Sequence, residues 1–425
     1  MSYEITNEEI ETFISQNWDE FIADAERLIA IDSSLDKQHA CDGAPFGPGP
    51  RRALDEMLGI AKRFGFMTFD GDGYAGYADI AGQSGQQLGV IGHVDVVPAG
   101  IGWTFEPFQL THKDGIFIGR GTADDKIPLL SALYAVKFWL EKGISLNHDI
   151  RFIVGCNEET GMEDVSYYLA HNDSPDFLFT PDADFPLCYG EKGLFGVTLK
   201  RDFETVEERT NHASFEGGIA TNAVPALAQA LVKTTREDIE EALRTCANPD
   251  RITFEEKAEG FFISATGVSG HASLPEGTVN AIGVLADFLA RLSACSSEEQ
   301  QWFAFVADLT QSNDGSAVGI ASADKDFGSL ISVVGTMKKM GDAYILTDDI
   351  RFPASISGTE LQEAFEKVAF QRGASVEITR NQDPFLVNPN TAPVQALVDA
   401  YQEATGLEVR PFTMGGATYA REFPH

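Results

Sequence analysis

The sequence has few cysteines and few basic residues. The first shortage bears on the cellular compartment and the second on the possible binding partners. Five cysteines are scattered along 425 residues without a Cys-x-x-Cys pair, a pattern that favours reduced thiols in a cytosol over a disulfide framework. Thirty-one basic residues against sixty-five acidic ones give a formal net charge of −34. Such a field repels nucleic acid and anionic membranes, so we expect a cytoplasmic protein with neither as a partner.

Other common signatures are also missing. No apolar run reaches membrane-spanning length, and the first residues, MSYEITNEEIETF, are acidic and lack the apolar centre of a secretory leader. Neither His-Glu-x-x-His nor Gly-x-Ser-x-Gly occurs, which disfavours a single-zinc protease and a serine hydrolase. GDGYAG (71–76) fits the dinucleotide-binding glycine pattern. A short strand rather than a helix follows it, so we predict a hairpin turn.

The chain is too long for one ordinary core, and its pattern of strands and helices predicts two domains. Through residue 188 strands alternate with helices, the first of them expected to be capped by Asn7, which predicts an α/β domain with a mixed, mostly parallel sheet. Residues 189–381 predict an inserted α+β domain of antiparallel strands with helices near 223–233, 279–292 and 360–370. Residues 382–425 return to the α/β pattern and are expected to complete the first domain.

Polar residues follow the apolar strands of the first domain. LGVIGHVDVVPAG ends a strand in His93 and Asp95, NEETG places Glu158 and Glu159 after another, and TPDAD places Asp182 after a third. Ligands of α/β sheets gather at these carboxyl ends of strands. Taken singly, each motif is better explained by a hydrogen-bonded core histidine or a solvated acidic turn than by a metal site.

GRGTADDK adds Asp124 and Asp125 directly before an apolar helix, and alone it would be an ordinary acidic helix start. Jointly, the motifs supply one histidine and several carboxylates, a ligand set suited to zinc or a similar divalent ion. These acids are too many for one ion. Two ions that share one carboxylate would neutralise the acids, so the motifs favour a site with two metal ions.

These motifs resemble those of the di-zinc exopeptidase and deacylase family that includes aminoacylase, glutamate carboxypeptidase, acetylornithine deacetylase and carnosinase, and most of all the bacterial PepV-type dipeptidases. The resemblance spans nearly the whole chain, including APFGPGPRRALDEML and TPDADFPLCYGEKGLF. It implies a zinc-exopeptidase-type catalytic domain with an inserted lid, and hydrolysis of unblocked dipeptides. Deacylation of N-acyl amino acids on the same scaffold and a catalytically inactive metal-binding homologue are the alternatives.

The resemblance also implies which residues bind metal. His93, Asp124 and Asp182 would hold one zinc ion, and Asp124 would bridge to a second ion that Glu159 also binds, with manganese or cobalt as substitutes. The peptide bond between Asp124 and Asp125 is expected to be cis. In this family a second histidine follows the GGATYAR turn by some tens of residues, whereas this sequence ends at His425. We expect His425 not to replace it, so that the second ion binds weakly and turnover by these 425 residues is low.

Roles in catalysis and substrate binding follow from the same resemblance. Glu158 would be the general base, Asp95 would hold the His93 ring, and His271 in GVSGHASLPEG would stabilise the transition-state oxyanion. The residues expected to bind the small peptide substrate are Asn222, Arg351, Gly415 and Gly416. Because the insert contains both His271 and Arg351, we expect a monomer that needs no residue from a second copy.

Overall fold

The computed structural model describes residues 5–100, 102–203 and 214–423, so His425 lies outside the described residues. The chain divides into two compact units. Unit 1 comprises Met1–Leu187, Thr391–Thr405 and Ala417–His425, and unit 2 comprises Cys188–Asn390 and Gly406–Gly416. No helix in the described ranges is both long enough and apolar enough to span a bilayer.

Both units contain helices and strands. The helices are α1 (Asn7–Ile29), α2 (Pro48–Arg63), α3 (Lys126–Glu141), α4 (Glu163–His171), α5 (Arg236–Thr245), α6 (Ala281–Leu289), α7 (Ser297–Gln311), α8 (Gly358–Arg372) and α9 (Ala392–Thr405). The strands are β1 (Met67–Gly71), β2 (Ala75–Ile80), β3 (Gln87–His93), β4 (Thr111–Lys113), β5 (Ile116–Ile118), β6 (Asp149–Gly155), β7 (Phe177–Phe179), β8 (Cys188–Glu191), β9 (Gly193–Asp202), β10 (Glu216–Gly217), β11 (Ala223–Val224), β12 (Leu227–Val232), β13 (Ile252–Lys257), β14 (Gly260–Thr266), β15 (Gly270–His271), β16 (Ala323–Asp324), β17 (Gly328–Ser329), β18 (Ile331–Met340), β19 (Ala343–Phe352), β20 (Ser375–Gln382), β21 (Phe385–Leu386) and β22 (Phe412–Met414).

Unit 1 is built on a mixed sheet with the strand order β1-β2-β6-β3-β7. Strand β3 pairs in parallel with β6 and β7, whereas β2 pairs antiparallel with β1 and β6. Successive residues of a strand point to opposite faces. On β3, Val90 joins a core formed with α1, α2 and α3, and Ile91 joins a second core formed with α4, Tyr419 and Phe423. Both faces of the sheet are therefore covered, as expected for an α/β domain.

A buried carboxylate joins the three helices on the first face of this sheet. Asp24 of α1 is 1 % exposed and forms an ion pair with Arg27 of the same helix. It also accepts hydrogen bonds at 2.7 Å from Arg63 of α2 and from the hydroxyl of Tyr134 of α3. A buried charge is stable only when it is paired and hydrogen-bonded, and Asp24 meets both conditions.

Unit 2 contains an antiparallel sheet with the order β13-β14-β12-β10-β18-β19-β9-β20, as the sequence predicts for the insert. A smaller sheet has the order β21-β8-β22, and in it β22 pairs in parallel with β8. The pairings of β21 and β22 with β8 explain why residues 382–390 and 406–416, which the sequence pattern assigned to the first domain, belong to the compact unit that begins at Cys188.

Local predictions are confirmed in one place and wrong in two. The GDGYAG segment is a hairpin turn between β1 and β2, with Asp72 and Gly73 at positive φ, as a type I′ turn requires. The N-cap of α1 is Thr6, which forms a capping box with Glu9, and not Asn7. The helix predicted near 223–233 is instead β11 and β12, because long-range pairing of β12 with β14 overrides the helix propensity of its alanines and leucines.

Candidate metal centre

The centre of the site is the His93 imidazole at the last position of β3. The residue is fully buried because β3 lies between β6 and β7 in the sheet. Its Nδ1 lies 3.0 Å from the backbone carbonyl oxygen of Asp95. A carbonyl oxygen can only accept a hydrogen bond, so Nδ1 carries a proton. That assignment leaves Nε2 as the ring nitrogen able to bind a metal ion.

Carboxylates surround the second ring nitrogen of His93. Its Nε2 lies 2.9 Å from Oδ1 of Asp124 and 3.6 Å from Oδ2 of Asp182. Within the described ranges it has no hydrogen-bond partner of acceptable alignment. A buried nitrogen directed at carboxylates without a well-aligned hydrogen bond is the arrangement expected of a metal ligand.

Two overlapping groups of residues could each hold a metal ion, and within each group the ligand atoms lie within 4.8 Å of one another. One group is His93, Asp124 and Glu159, and the other is His93, Asp125 and Asp182. The structure therefore brings together all four residues that the sequence assigned to metal binding. The peptide bond between Asp124 and Asp125 is cis, as expected.

Asp125 is a member of the site to which the sequence assigned no role. Its Oδ2 accepts the backbone N–H of His93 at 3.2 Å, and its Oδ1 finds no donor among the residues that the structure describes. Gly92 makes this approach feasible, because a Cβ at that position would lie 2.1 Å from the same Oδ2. Asp125 thus joins the metal-binding loop to the end of β3. In the sequence, the feature that could have pointed to Asp125 was its position beside Asp124 in the DDK motif.

The Asp95 carboxylate contacts the two glutamates more directly than the histidine. Its Oδ1 and Oδ2 accept the backbone N–H groups of Glu158 and Glu159, each at 3.2 Å. The carboxylate also lies 3.4 Å from Nδ1 of His93, while the backbone carbonyl of Asp95 makes the shorter contact to that nitrogen. Asp95 therefore links the histidine to the turn that carries Glu158 and Glu159.

The electrostatics of the cluster show an excess of negative charge. Burial raises the pKa of Glu158 well above its ordinary value, and burial together with Asp124 raises that of Glu159 to about 7. Burial lowers the pKa of His93, but Asp124 and other carboxylates outweigh it and raise that pKa well above its ordinary value. A negative field that favours a proton on Nε2 equally favours a metal cation. The nitrogen and oxygen donors present fit a divalent ion.

The predicted substrate-binding residues of unit 2 are also brought together. His271 on β15 pairs with Ala223 of β11, which follows Asn222. Arg351 on β19 donates to both carboxylate oxygens of Asp349 and, at 3.0 Å, to the carbonyl oxygen of Gly415.

Gly415 in turn lies close to the residue that fixes His271. A Cβ at Gly415 would lie 3.0 Å from Cβ of Ser273, whereas a Cβ at Gly416 would meet only the Met414 side chain at 3.7 Å. Gly415 is thus the tighter of the two predicted glycines. Ser273, which sequence reasoning missed, connects this glycine turn to His271.

The tautomer of His271 follows from its neighbour Ser273. The backbone N–H of Ser273 donates to Nδ1 of His271 at 3.2 Å, and the Ser273 hydroxyl lies 2.6 Å from the same nitrogen. A neutral ring that accepts at Nδ1 carries its proton on Nε2. Burial and the nearby Arg351 charge lower the pKa of His271, which favours the neutral ring with an N–H group available to donate.

Comparisons with known proteins agree on one family. A family model described as peptidase family M20/M25/M40 matches residues 89–425. The Beta-Ala-Xaa dipeptidase of Lactobacillus delbrueckii subsp. lactis is 34% identical over 416 residues, covering 95% of this chain and 87% of that protein. Human carnosine dipeptidase 1 has a TM-score of 0.56 at 16% identity, covering 97% of this chain and 88% of that chain. The dipeptidase Dug1p of Saccharomyces cerevisiae has a TM-score of 0.56 at 14% identity, covering 96% and 87%. At those identities the two structures show the fold alone.

The position of Arg351 near His271 predicts how the pKa of His271 should change when Arg351 is replaced. Arg351→Met should raise the pKa of His271, because it removes a positive charge that disfavours the imidazolium, while Arg351→Lys should keep it low. Both are measured by ¹⁵N NMR of histidine-labelled protein, which also reports the tautomer. An Nδ1–H ring in the wild type, or an unchanged pKa in Arg351→Met, would contradict the assignment.

Proposed function

The chain belongs to peptidase family M20/M25/M40, a family of metal-dependent peptide hydrolases, and from this premise we propose that it hydrolyses unblocked dipeptides. The observation that carries the proposal is the buried Nε2 of His93, directed at Asp124 and Asp182 without an aligned hydrogen bond. The relative named as a dipeptidase, which covers 95% of this chain, supports the choice of dipeptides over longer peptides.

We assign the metal ligands residue by residue. His93, Asp124 and Asp182 would hold one zinc ion, and Asp124 and Glu159 would hold a second, with manganese or cobalt as substitutes. Asp125 would keep Asp124 in place through its hydrogen bond from the His93 backbone. A bound divalent ion supplies Lewis acidity, which polarises a carbonyl group and lowers the pKa of water.

Glu158 is the proposed general base. Its carboxylate would accept a proton from the attacking water and deliver it to the leaving amine. Burial raises the pKa of Glu158, and a raised pKa suits a carboxylate that must both take and release a proton near neutral pH. Glu159, the adjacent residue, would bind metal, and both glutamates depend on Asp95 for the position of their backbone.

Unit 2 supplies the proposed substrate-binding residues. His271 would donate its Nε2–H to the oxyanion, a role that its tautomer supports. Arg351, with Asn222 and the turn at Gly415 and Gly416, would bind the substrate carboxylate, because a guanidinium group matches a planar carboxylate. Unit 1 would then be the catalytic metal-binding domain and unit 2 the lid of a cytoplasmic enzyme without nucleic-acid or membrane partners.

A substrate panel tests the function. With zinc or manganese added, unblocked dipeptides, including a β-alanyl dipeptide, should be hydrolysed with a kcat/KM at least about tenfold above that for N-acetyl amino acids. A chelator should remove the activity, and the metal should restore it. Faster release of acetate from N-acetyl amino acids would indicate a deacylase, and metal-loaded protein without either activity would indicate an inactive homologue.

The two adjacent glutamates should differ when each is replaced. Glu158→Ala should lower kcat by about 10²-fold or more and leave the bound metal unchanged, whereas Glu159→Ala should lower the metal-to-protein ratio measured by equilibrium dialysis against excess zinc. Glu163→Ala, an exposed glutamate on the following helix, is the matched control and should change neither quantity. Metal loss in Glu158→Ala with full occupancy in Glu159→Ala would reverse the assignment.

We also propose a monomer, because the insert, residues 189–381, contains both His271 and Arg351 and is long enough for them to act on the metal centre of their own chain. Sedimentation velocity should show one species of 46.2 kDa. Mixing Glu158→Ala protein with His271→Ala protein should restore no activity. An obligate dimer whose mixed variants recover activity would show instead that His271 acts on the metal centre of a second copy.

A further inference from the structure

The backbone N–H groups of the four consecutive residues 156–159, which include Glu158 and Glu159, all donate hydrogen bonds to two buried carboxylates. Asp95 accepts from Glu158 and Glu159. Oδ2 of Asp164, on the first turn of α4, accepts from Cys156 at 2.6 Å and from Asn157 at 2.8 Å. The segment 156–159 therefore has its backbone position set by acceptors on two other elements, β3 with its extension and α4.

Asp164 has a further partner from a distant part of the chain. The hydroxyl of Tyr419, 255 residues away in sequence, donates to the same Oδ2, and Val165 donates its backbone N–H to Oδ1 at 2.7 Å. Asp164 is 0 % exposed and Tyr419 is 1 % exposed. Every contact of this carboxylate is therefore made in a dry environment, where a hydrogen bond to a charged group is strong and its loss is costly.

The approach of Tyr419 requires a glycine at the end of β6. A Cβ at Gly155 would lie 2.1 Å from the Tyr419 oxygen and 2.5 Å from its Cζ. Gly155 is also the partner of His93 in the parallel register of β3 and β6. The tyrosine ring thus packs on the strand end that leads directly into segment 156–159, beside the histidine of the metal centre.

From these contacts we propose that Tyr419 and Asp164 are positioning residues for catalysis: the Tyr419 hydroxyl fixes the Asp164 carboxylate, which holds the backbone of segment 156–159 and so the placement of Glu158 and Glu159. The inference rests on the proposed function for the roles of the two glutamates. The claim that Tyr419 and Asp164 fix the backbone of this segment rests on the geometry alone. Neither residue touches substrate or metal in this scheme, because each acts through the segment.

The test compares two tyrosines that make the same contact. Tyr419→Phe removes only the hydroxyl that reaches Asp164. Tyr134→Phe removes the hydroxyl that donates to Asp24 at 2.7 Å, another buried tyrosine–aspartate pair in unit 1. Both variants should lose similar thermal stability. Only Tyr419→Phe should speed amide hydrogen exchange in the peptide covering residues 155–160, by about tenfold, and lower kcat about tenfold with KM within about twofold.

The outcomes separate positioning from general stabilisation. Equal exchange in residues 155–160 and equal kcat for the two variants at matched folded fraction would overturn the proposal. Gly155→Ala, which displaces the ring while keeping the hydroxyl, should reproduce the Tyr419→Phe pattern. If the wild type hydrolyses no dipeptide, the proposed function fails, while the exchange data on metal-free protein still decide whether Tyr419 holds the segment.

A measurement on the wild type covers the case in which Tyr419→Phe does not fold. Native-state exchange at increasing urea should show the amides of residues 156–159 opening together with those of Ala420 and Phe423, whose segment carries the tyrosine. Opening of residues 156–159 at a clearly lower free energy than the Tyr419 segment would show that the hydroxyl does not hold them, and would overturn the proposal.

Discussion

Negative charge buried around one imidazole is the constraint on which the rest of unit 1 depends. The carboxylates near His93 are stable in a dry interior only if donors or cations reach them. Backbone N–H groups supply part of what is needed: Asp125 uses that of His93, and Asp95 uses those of Glu158 and Glu159. Glu159 also accepts the backbone N–H of Val97 at 3.2 Å, but burial and the neighbouring carboxylates still raise the pKa values of Glu158 and Glu159, which shows an excess of negative charge. A divalent cation would offset that charge.

The same constraint explains why the site is assembled from separate segments. A strand end exposes backbone N–H groups that have no further partner in the sheet, and a carboxylate from another element can accept them. Asp164 from α4 does so at the end of β6, and Tyr419, from the last described residues, completes the hydrogen bonds of Asp164. Each added contact limits how far the glutamates can move, which is the preorganisation that acid–base chemistry requires.

The sequence predicted much of the fold and the residues nearest the chemistry. The motifs that contain His93, Asp124, Glu159 and Asp182 could be found because each follows an apolar strand or precedes an apolar helix, and strand ends meet at one edge of a parallel sheet. The choice of these four residues within the motifs came from the resemblance to the family. Asp164 and Tyr419 carry no such signal: one is in an amphipathic helix start, and the other lies 255 residues from its partner. Strand β12 was missed for a related reason, since its pairing with β14 is long-range and its composition favours helix.

In His93 and His271 the ring nitrogen Nδ1 has opposite hydrogen-bonding roles, and in each case a backbone group only two residues away decides which role it has. In His93 the residue two positions on offers a carbonyl oxygen to Nδ1, so Nδ1 keeps a proton and Nε2 is the nitrogen at which a cation can replace one. In His271 the residue two positions on offers an N–H to Nδ1, so the proton lies on Nε2. One ring can therefore bind a cation and the other can donate to an oxyanion. The difference is the orientation of a single backbone group, which Asp95 and Ser273 determine through the local path of the chain.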